Sequence, residues 1–396
     1  MAKLLFAVDH RFQRSAGGDI YTIGGKFPYA KWEEYLAHFD EVIVVSRGVD
    51  VTDGETANLA LSSGPKVHHH LVDDRRGWRR LTTLRAHRAL LERLVADADA
   101  VIGRLPSELG LTACALAANV GKPYLVELVT CPWDALWNHG ALAAKAYAPV
   151  MTMRTRRRVR AASLVHYVTR AFLQRRYPTA GKSICASNVM LPESGADVRA
   201  ARLDRIDAIT QGGPVTFGTT GSMTTRLKGI HIAIAALATG RDQLPDFNYR
   251  ILGEGDPAAL GEQAVRLGIG DRVHFDGTLA GGGEVARWLD AIDIYLQPSF
   301  QEGLPRALIE ALNRGCLAIG STAGGIPELL PPDRMHRPGD AAGLIAGIEA
   351  LLSQPRAAMA QEADRNAVTA DHYSYPRSLA AKNEIYRALR AQCGER

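Results

Sequence analysis

Glu302 and Glu310 lie within one short run, Pro298-Ser299-Phe300-Gln301-Glu302-Gly303-Leu304-Pro305-Arg306-Ala307-Leu308-Ile309-Glu310-Ala311. Before it, Asp293-Ile294-Tyr295-Leu296 reads as a buried strand, and the residues that follow read as a helix. One carboxylate thus falls in the loop at a strand end, the other on the first turns of the next helix. The N–H groups of a helix start attract anions, so two acids there need another partner. The most economical partner is a set of hydroxyl groups on a ligand that also carries phosphate, which describes a nucleotide sugar.

A cationic loop stands where such a phosphate would need it. The stretch Gly218-Thr219-Thr220-Gly221-Ser222-Met223-Thr224-Thr225-Arg226-Leu227-Lys228-Gly229 follows a strand-like run and leads into a helical one. Small residues let backbone amides approach phosphate closely. Arg226 can clamp a diphosphate through two bonds, and Lys228 acts as a point charge. A flexible loop with surface cations is the competing reading. The Gly-x4-Gly-Lys-Ser/Thr order of a P-loop is absent. Ser321-Thr322-Ala323-Gly324-Gly325-Ile326-Pro327-Glu328 is a second small-residue turn, with Pro327 suited to a first helical position. Gly17-Gly18 follows the first strand and could reach the same phosphate, with a plain turn as its rival.

The elements that must position these residues follow from hydrophobic pattern. Continuous apolar runs predict strands over 3–8, 41–46, 100–102, 124–129 and 164–169, then over 215–218, 249–252, 273–275, 292–296 and 317–320. Continuous rather than alternating runs suit parallel strands covered on both faces, and alternation with helical patterns suits doubly wound α/β units. The 396 residues allow two to three domains. The polar, charged stretch before Gln211-Gly212-Gly213-Pro214 reads as a linker. The expected division is a domain over 1–195, a linker over 196–213, a domain over 214–372 and a C-terminal helix over 373–396 that packs back on the first domain.

Composition bounds the function. A net charge of +5 is mild; it suits an anionic ligand or surface without demanding nucleic acid. No apolar run is long enough to span a membrane, and the first eight residues are too short for a signal peptide. The expected location is cytoplasmic, with peripheral attachment to the inner face of the membrane. The five cysteines are scattered with no Cys-x-x-Cys pair, so reduced thiols are expected.

Taken together, Gly221…Arg226-Leu-Lys228-Gly229, Gly253-Glu-Gly255, Val273-His-Phe-Asp-Gly277, Asp293…Pro298-Ser299, Glu302-Gly303…Glu310-Ala311 and Gly324-Gly-Ile-Pro-Glu328 resemble the retaining nucleotide-sugar glycosyltransferases of family 4. Val126-Glu127…Pro132-Trp133-Asp134-Ala-Leu-Trp137 is similar to enzymes that build capsular or O-antigen polysaccharide. The resemblance implies the GT-B fold, an α/β architecture of two Rossmann-like doubly wound domains facing across a cleft. It also implies roles. Lys228 and Arg226 would neutralise the donor diphosphate beside Gly221. Glu302 would hold hydroxyls of the transferred sugar, and Glu310 those of the ribose. The amides of Gly303, Leu304 and Pro305 would hold sugar and phosphate, Gly277 and Thr278 would meet the base, and Gly17 and Gly18 would close on the diphosphate. Two places depart from the family. Ser222 stands where many members have arginine, so Arg226 must substitute. Thr130-Cys131-Pro132 stands where many have a histidine, and Asp134 or His139 would replace it.

The implied reaction moves a sugar from a UDP- or GDP-type donor to a hydroxyl on a carbohydrate or lipid-linked acceptor, with retention, no cofactor and no metal. The cations and helix amides would stabilise charge on the departing diphosphate. A glycosidase-like use of the two glutamates is the less economical scheme. Gly253-Glu-Gly255-Asp-Pro-Ala258 with Asp276 admits an NAD(P)-dependent oxidoreductase, and a non-catalytic nucleotide-sugar-binding subunit is a third reading. His68-His69-His70 reads as a surface turn, and Asp97-Ala-Asp99 as a solvated pair. The clusters Arg75-Arg76-Gly77-Trp78-Arg79-Arg80 and Arg154-Thr-Arg156-Arg157-Arg158-Val-Arg160 read either as solvated faces or as contacts to an anionic membrane surface. No nucleic-acid-binding motif accompanies them.

Overall fold

The computed structural model describes residues 1–396 apart from 24–25, 53, 55, 57–58, 74–79, 139, 190, 192–194, 280–281 and 395–396. The chain divides into two compact units. One comprises Met1–Trp133, Ala146–Ala186 and Ser378–Arg396; the other comprises Asp134–Lys145 and Ser187–Arg377.

In the first unit the strands are β1 (Lys3–Arg14), β2 (Ile20–Thr22), β3 (Glu41–Asp50), β4 (Ala60–Leu61), β5 (Val67–Asp73), β6 (Ala100–Leu105), β7 (Tyr124–Leu128), β8 (Leu164–Tyr167) and β9 (Lys182–Cys185). The parallel sheet runs β5-β3-β1-β6-β7-β8-β9, and the short antiparallel pair β2-β4 extends from the far end of β1. The apolar runs became buried strands as their lack of alternation requires. The histidine run did not become a surface turn: it lies in β5, where His69 is turned inward beside the rings of Phe12 and Trp32. Burial lowers the pKa of His69 to about 4. Asp97 and Asp99 are tied to the start of β1 through Lys3.

The second unit carries β10 (Val215–Thr220), β11 (Phe247–Leu252), β12 (Val273–Phe275), β13 (Ile294–Gln297), β14 (Leu317–Ser321) and β15 (Met335–His336). Their order is β12-β11-β10-β13-β14-β15, all parallel. The strand order reverses between β10 and β13, which is where doubly wound sheets bind ligands. Phe217, Tyr249, Ile251, Ile294, Leu296 and Ile319 fill the core between sheet and helices.

Two boundaries differ from the sequence expectation. The second unit begins at Ser187, and the stretch read as a linker is mostly the helix Ala196–Thr210 of that unit. Its charge misled the reading, because its arginines are structural. Arg202 is buried and donates to the carbonyls of Arg314 (3.1 Å), Ile292 (2.5 Å) and Leu289 (3.2 Å). Arg205 Nε meets Asp293 Oδ1 at 2.7 Å, while Asp293 Oδ2 accepts from the N–H of Thr216. The final helix, Tyr375–Ala391, enters the first unit from Ser378 onward. There Ile385, Tyr386 and Leu389 join the core. Tyr386 Oη donates to Glu127 Oε1 at 3.2 Å, as Tyr35 does at 2.9 Å, and Arg104 holds the other carboxylate oxygen at 2.9 Å.

Arg202→Ala removes the guanidinium donor from the Arg314 and Ile292 carbonyls, while Leu289 O keeps the Ile292 N–H, and each unpaired group costs ~1–3 kcal/mol before relaxation. Urea unfolding should report a loss of about 3 kcal/mol or more, against near-neutral behaviour for the exposed Arg199→Ala.

Candidate functional site

Beyond the carboxyl ends of β10 and β13, Lys228 Nζ lies 2.6 Å from Glu302 Oε1. The same oxygen accepts from Ser299 Oγ at 2.8 Å and Gln297 Nε2 at 3.0 Å, and Gln297 Nε2 also reaches Ser299 Oγ at 2.8 Å. Glu302, Ser299 and Gln297 are buried, whereas about a third of the Lys228 side chain is exposed (31%). Charge-assisted bonds of this length are strong and directional, so the carboxylate is held from three sides through one oxygen. Its Oε2 takes no side-chain donor among the described residues.

Local backbone explains the placement. Arg226–Lys228 is a turn of 3-10 helix closed by Gly229 at φ 69°. A Cβ on Gly229 would lie 1.9 Å from the Pro298 carbonyl oxygen, and Phe300 N donates to Leu227 O at 2.8 Å. The lysine turn and the glutamate loop are therefore bonded to each other. A Cβ on Gly221 would fall 2.7 Å from Lys228 Cγ, so glycine there leaves room for the lysine stem. The neighbouring loops join the same frame. Gly221 N donates to Leu252 O, Met223 N to Glu254 O, Gly253 N to Gly277 O and Gly325 N to Gly303 O. Gly324, at φ 60°, passes so close to Glu302 that a Cβ would sit 2.2 Å from its carbonyl oxygen.

Glu310 occupies the second turn of the helix Arg306–Asn313 and is half-buried. Burial raises its pKa, partly opposed by the Arg306 charge. Its charge and that of Glu302 both bear on the buried Tyr295 phenol, whose oxygen accepts from Thr220 N at 3.0 Å. Both acids therefore lie within electrostatic reach of that phenol. Pro305 caps the helix without a side-chain hydrogen bond. No backbone carbonyl among the described residues takes the N–H of Gly303, Leu304 or Arg306, so the helix start keeps its orphan donors. Pro305 itself has no N–H; its expected amide contact is corrected to a shape-setting role, with Gly303 and Leu304 as donors.

The other predicted residues divide. Arg226 is exposed and meets no carboxylate among the described residues. Ser222 Oγ is engaged with Thr224 Oγ1 at 2.7 Å. Gly277 (φ 68°) and Thr278 are exposed after β12. Gly17 and Gly18 form a turn of the first unit, with Gly18 at φ 90° and its N–H on Ser15 O. Asp134 lies on the short helix Pro132–Trp137 and groups with the second unit, where Asn138 Nδ2 donates to Phe300 O at 3.3 Å. His139 and residues 75–79 lie outside the described residues, as does the Arg80 side chain. Asp276 is held by Arg250 Nε at 2.9 Å and Trp288 Nε1 at 2.6 Å. Those bonds occupy the acid that the dinucleotide reading needs.

Sequence reasoning missed Gln297, Ser299 and the His231–Phe300 stack. The spacing Gln297-x-Ser299-x-x-Glu302 was the available signal for the first two. His231 lies flat on Phe300, with ring centroids 5.7 Å apart and planes 5° apart. Burial, with the Arg226 charge, lowers its pKa from 6.5 to about 4. The unfolded chain thus takes up this proton first, so its contribution is complete above about pH 6.5 and declines as pH falls toward 4. Wild type should lose stability relative to His231→Phe over that window, by at most about 3 kcal/mol, measured by urea unfolding at pH 7, 6, 5 and 4.5.

Residues 214–354 match the model of the glycosyl transferases group 1. The protein CapJ of Staphylococcus aureus is 29% identical over 345 residues, covering 85% of this chain and 83% of CapJ. Among solved structures, a sucrose-phosphate synthase from Thermosynechococcus elongatus superposes with a TM-score of 0.68 at 17% identity, over 99% of this chain and 100% of that one. Anabaena HepE, solved in complex with UDP-glucose, gives 0.64 at 16% identity over 99% and 100%. The two Rossmann-like units, the group 1 match over residues 214–354 and the likeness to CapJ converge: the chain has the GT-B fold and the activity of a glycosyltransferase, and its second unit is similar to the glycosyl transferases group 1.

Proposed function

We propose that the chain transfers a sugar, with retention and without a metal, from a UDP- or GDP-type nucleotide sugar to a hydroxyl of a carbohydrate or lipid-linked acceptor in cell-surface polysaccharide synthesis, working at the inner face of the membrane. The observation that carries the reading is the Lys228–Glu302 pair at the β10/β13 reversal, beside the orphan amides that open the helix Arg306–Asn313. An ammonium held by one carboxylate oxygen and partly exposed can turn to an arriving diphosphate. Ser299 and Gln297 keep Glu302 in place when it does. Glu302 Oε2 then accepts from hydroxyls of the transferred sugar, and Glu310 from the ribose.

Arg226 adds a second charge on the diphosphate, and Gly221, Gly303 and Leu304 let backbone approach it. Gly277 and Thr278 face the base. Leaving-group charge is then met by groups already in position, which favours the transition state over the ground state. Front-face attack, with the departing phosphate taking the acceptor proton, needs no separate base and preserves the anomeric configuration.

Lys228→Ala and Glu310→Ala should each lower transfer by about 10²-fold or more in chains that remain folded by circular dichroism. Near-normal turnover in both would sink the assignment. A screen of nucleotide sugars, followed by the nucleotide released, names the donor. Activity should survive excess chelator, and NMR of the product should show the donor's own anomeric configuration. Loss with chelator would overturn metal independence, and inversion would overturn front-face attack.

A further inference from the structure

The helix Leu142–Ala161 reads LAAKAYAPVMTMRTRRRVRA and contains no acid. Within the first unit its exposed positions are Ala146, Pro149, Val150, Met153, Arg156, Arg157, Arg160 and Ala161. At 100° per residue these fall within an arc of about 140°, along roughly 20 Å of helix. The opposite face buries Ala148, Met151, Thr152, Thr155 and Val159. A surface helix normally turns its larger apolar residues inward. Here Met153 is 66% exposed and Val150 42%, while two threonines lie inside. The arginines are also sorted. Arg154 is spent on Glu108 at 2.9 Å, and Arg158 sits over the Tyr124 ring. Arg156 donates to the Arg176 carbonyl, and Arg157 and Arg160 meet no carboxylate among the described residues. Cations in a last turn answer the helix dipole, which accounts for Arg160 but not for the apolar residues two turns earlier.

We propose that this outer face docks on an anionic lipid bilayer, with Val150 and Met153 entering the headgroup boundary and Arg156, Arg157 and Arg160 meeting lipid phosphate. The proposal rests on the membrane reading of the acceptor. An apolar half followed by a cationic half on one face matches an interface that is itself part hydrocarbon and part phosphate. Nucleic acid would answer the cations but not the exposed methionine and valine.

Flotation of the full chain with vesicles of equimolar phosphatidylglycerol and phosphatidylcholine, and with phosphatidylcholine alone, tests it at low and high salt. The chain should float with the anionic vesicles at low salt and not with the neutral ones. Each cation strengthens such attachment about fivefold, so Arg157→Glu with Arg160→Glu should weaken it by at least about 25-fold. Val150→Ser with Met153→Ser should weaken it several-fold. Both variants should keep the wild-type unfolding midpoint and donor hydrolysis. Absence of flotation at low salt, equal flotation with both vesicle types, or undiminished flotation of both variants overturns the proposal. So does salt-sensitive binding of a short oligonucleotide without vesicle binding. Absent donor hydrolysis with intact flotation would instead refute the enzymatic reading and leave the docking surface standing.

Discussion

The second unit is organised around an ion pair at the reversal of its sheet. Lys228 and Glu302 arrive on different loops, one after β10 and one after β13, and meet at 2.6 Å. A lysine paired only in solvent would contribute little. This carboxylate is buried, and a buried carboxylate requires partners or is driven to protonate. Ser299 and Gln297 complete its shell. The constraint passes outward from there. Gly229 is left-handed because Pro298 O lies where a side chain would be, and Gly324 is left-handed against the backbone of Glu302. Backbone contacts thereby tie the loops after β10, β13 and β14 to this pair.

That arrangement also explains how acids can belong to an anion-binding site. Glu302 is neutralised in place by a cation that is partly exposed and able to turn. Glu310 sits farther along its helix, past the orphan N–H groups rather than among them. Burial raises its pKa, and the Arg306 charge works the other way. The amides at the helix start remain without backbone acceptors among the described residues, and the two carboxylates lie to either side of them in sequence.

The first unit repeats the scaffold with a different polar interior. Glu127 near the end of β7 accepts from Tyr35, Tyr386 and Arg104, and its pKa is held well below the usual carboxylate range. The partners include His166 and the more distant Lys31 charge, which together outweigh burial. Tyr386 comes from the C-terminal helix, so that helix completes a buried network as well as an apolar core. The two ends of the sequence thereby serve one unit, in line with the expectation that the C-terminal helix packs back on the first domain.

Much of this was legible in the residues. Continuous apolar runs marked the central strands, since a strand covered on both faces has no polar alternation to show. Gly221, Lys228, Gly229, Glu302 and Glu310 could be singled out because phosphate and hydroxyl chemistry asks for those types after strand ends. Other features were hidden for physical reasons. The helix Ala196–Thr210 looks like a linker because its arginines donate to buried carbonyls that sequence cannot display. His69 looks exposed in its run, yet strand alternation turns it inward. Pro305 was given an amide it does not have, whereas Gln297 and Ser299 were passed over because a neutral side chain states no partner. The sequence by itself determined the parallel α/β class, the glycine-rich loops at strand ends and the pair of acids, because periodicity and residue chemistry are local. Only the tertiary structure decided that Lys228 reaches Glu302 and that Gln297 and Ser299 hold it. It likewise decided that Arg154 turns inward while Arg157 and Arg160 stay on the outer face, because strand order and helix phase bring together residues far apart in the chain.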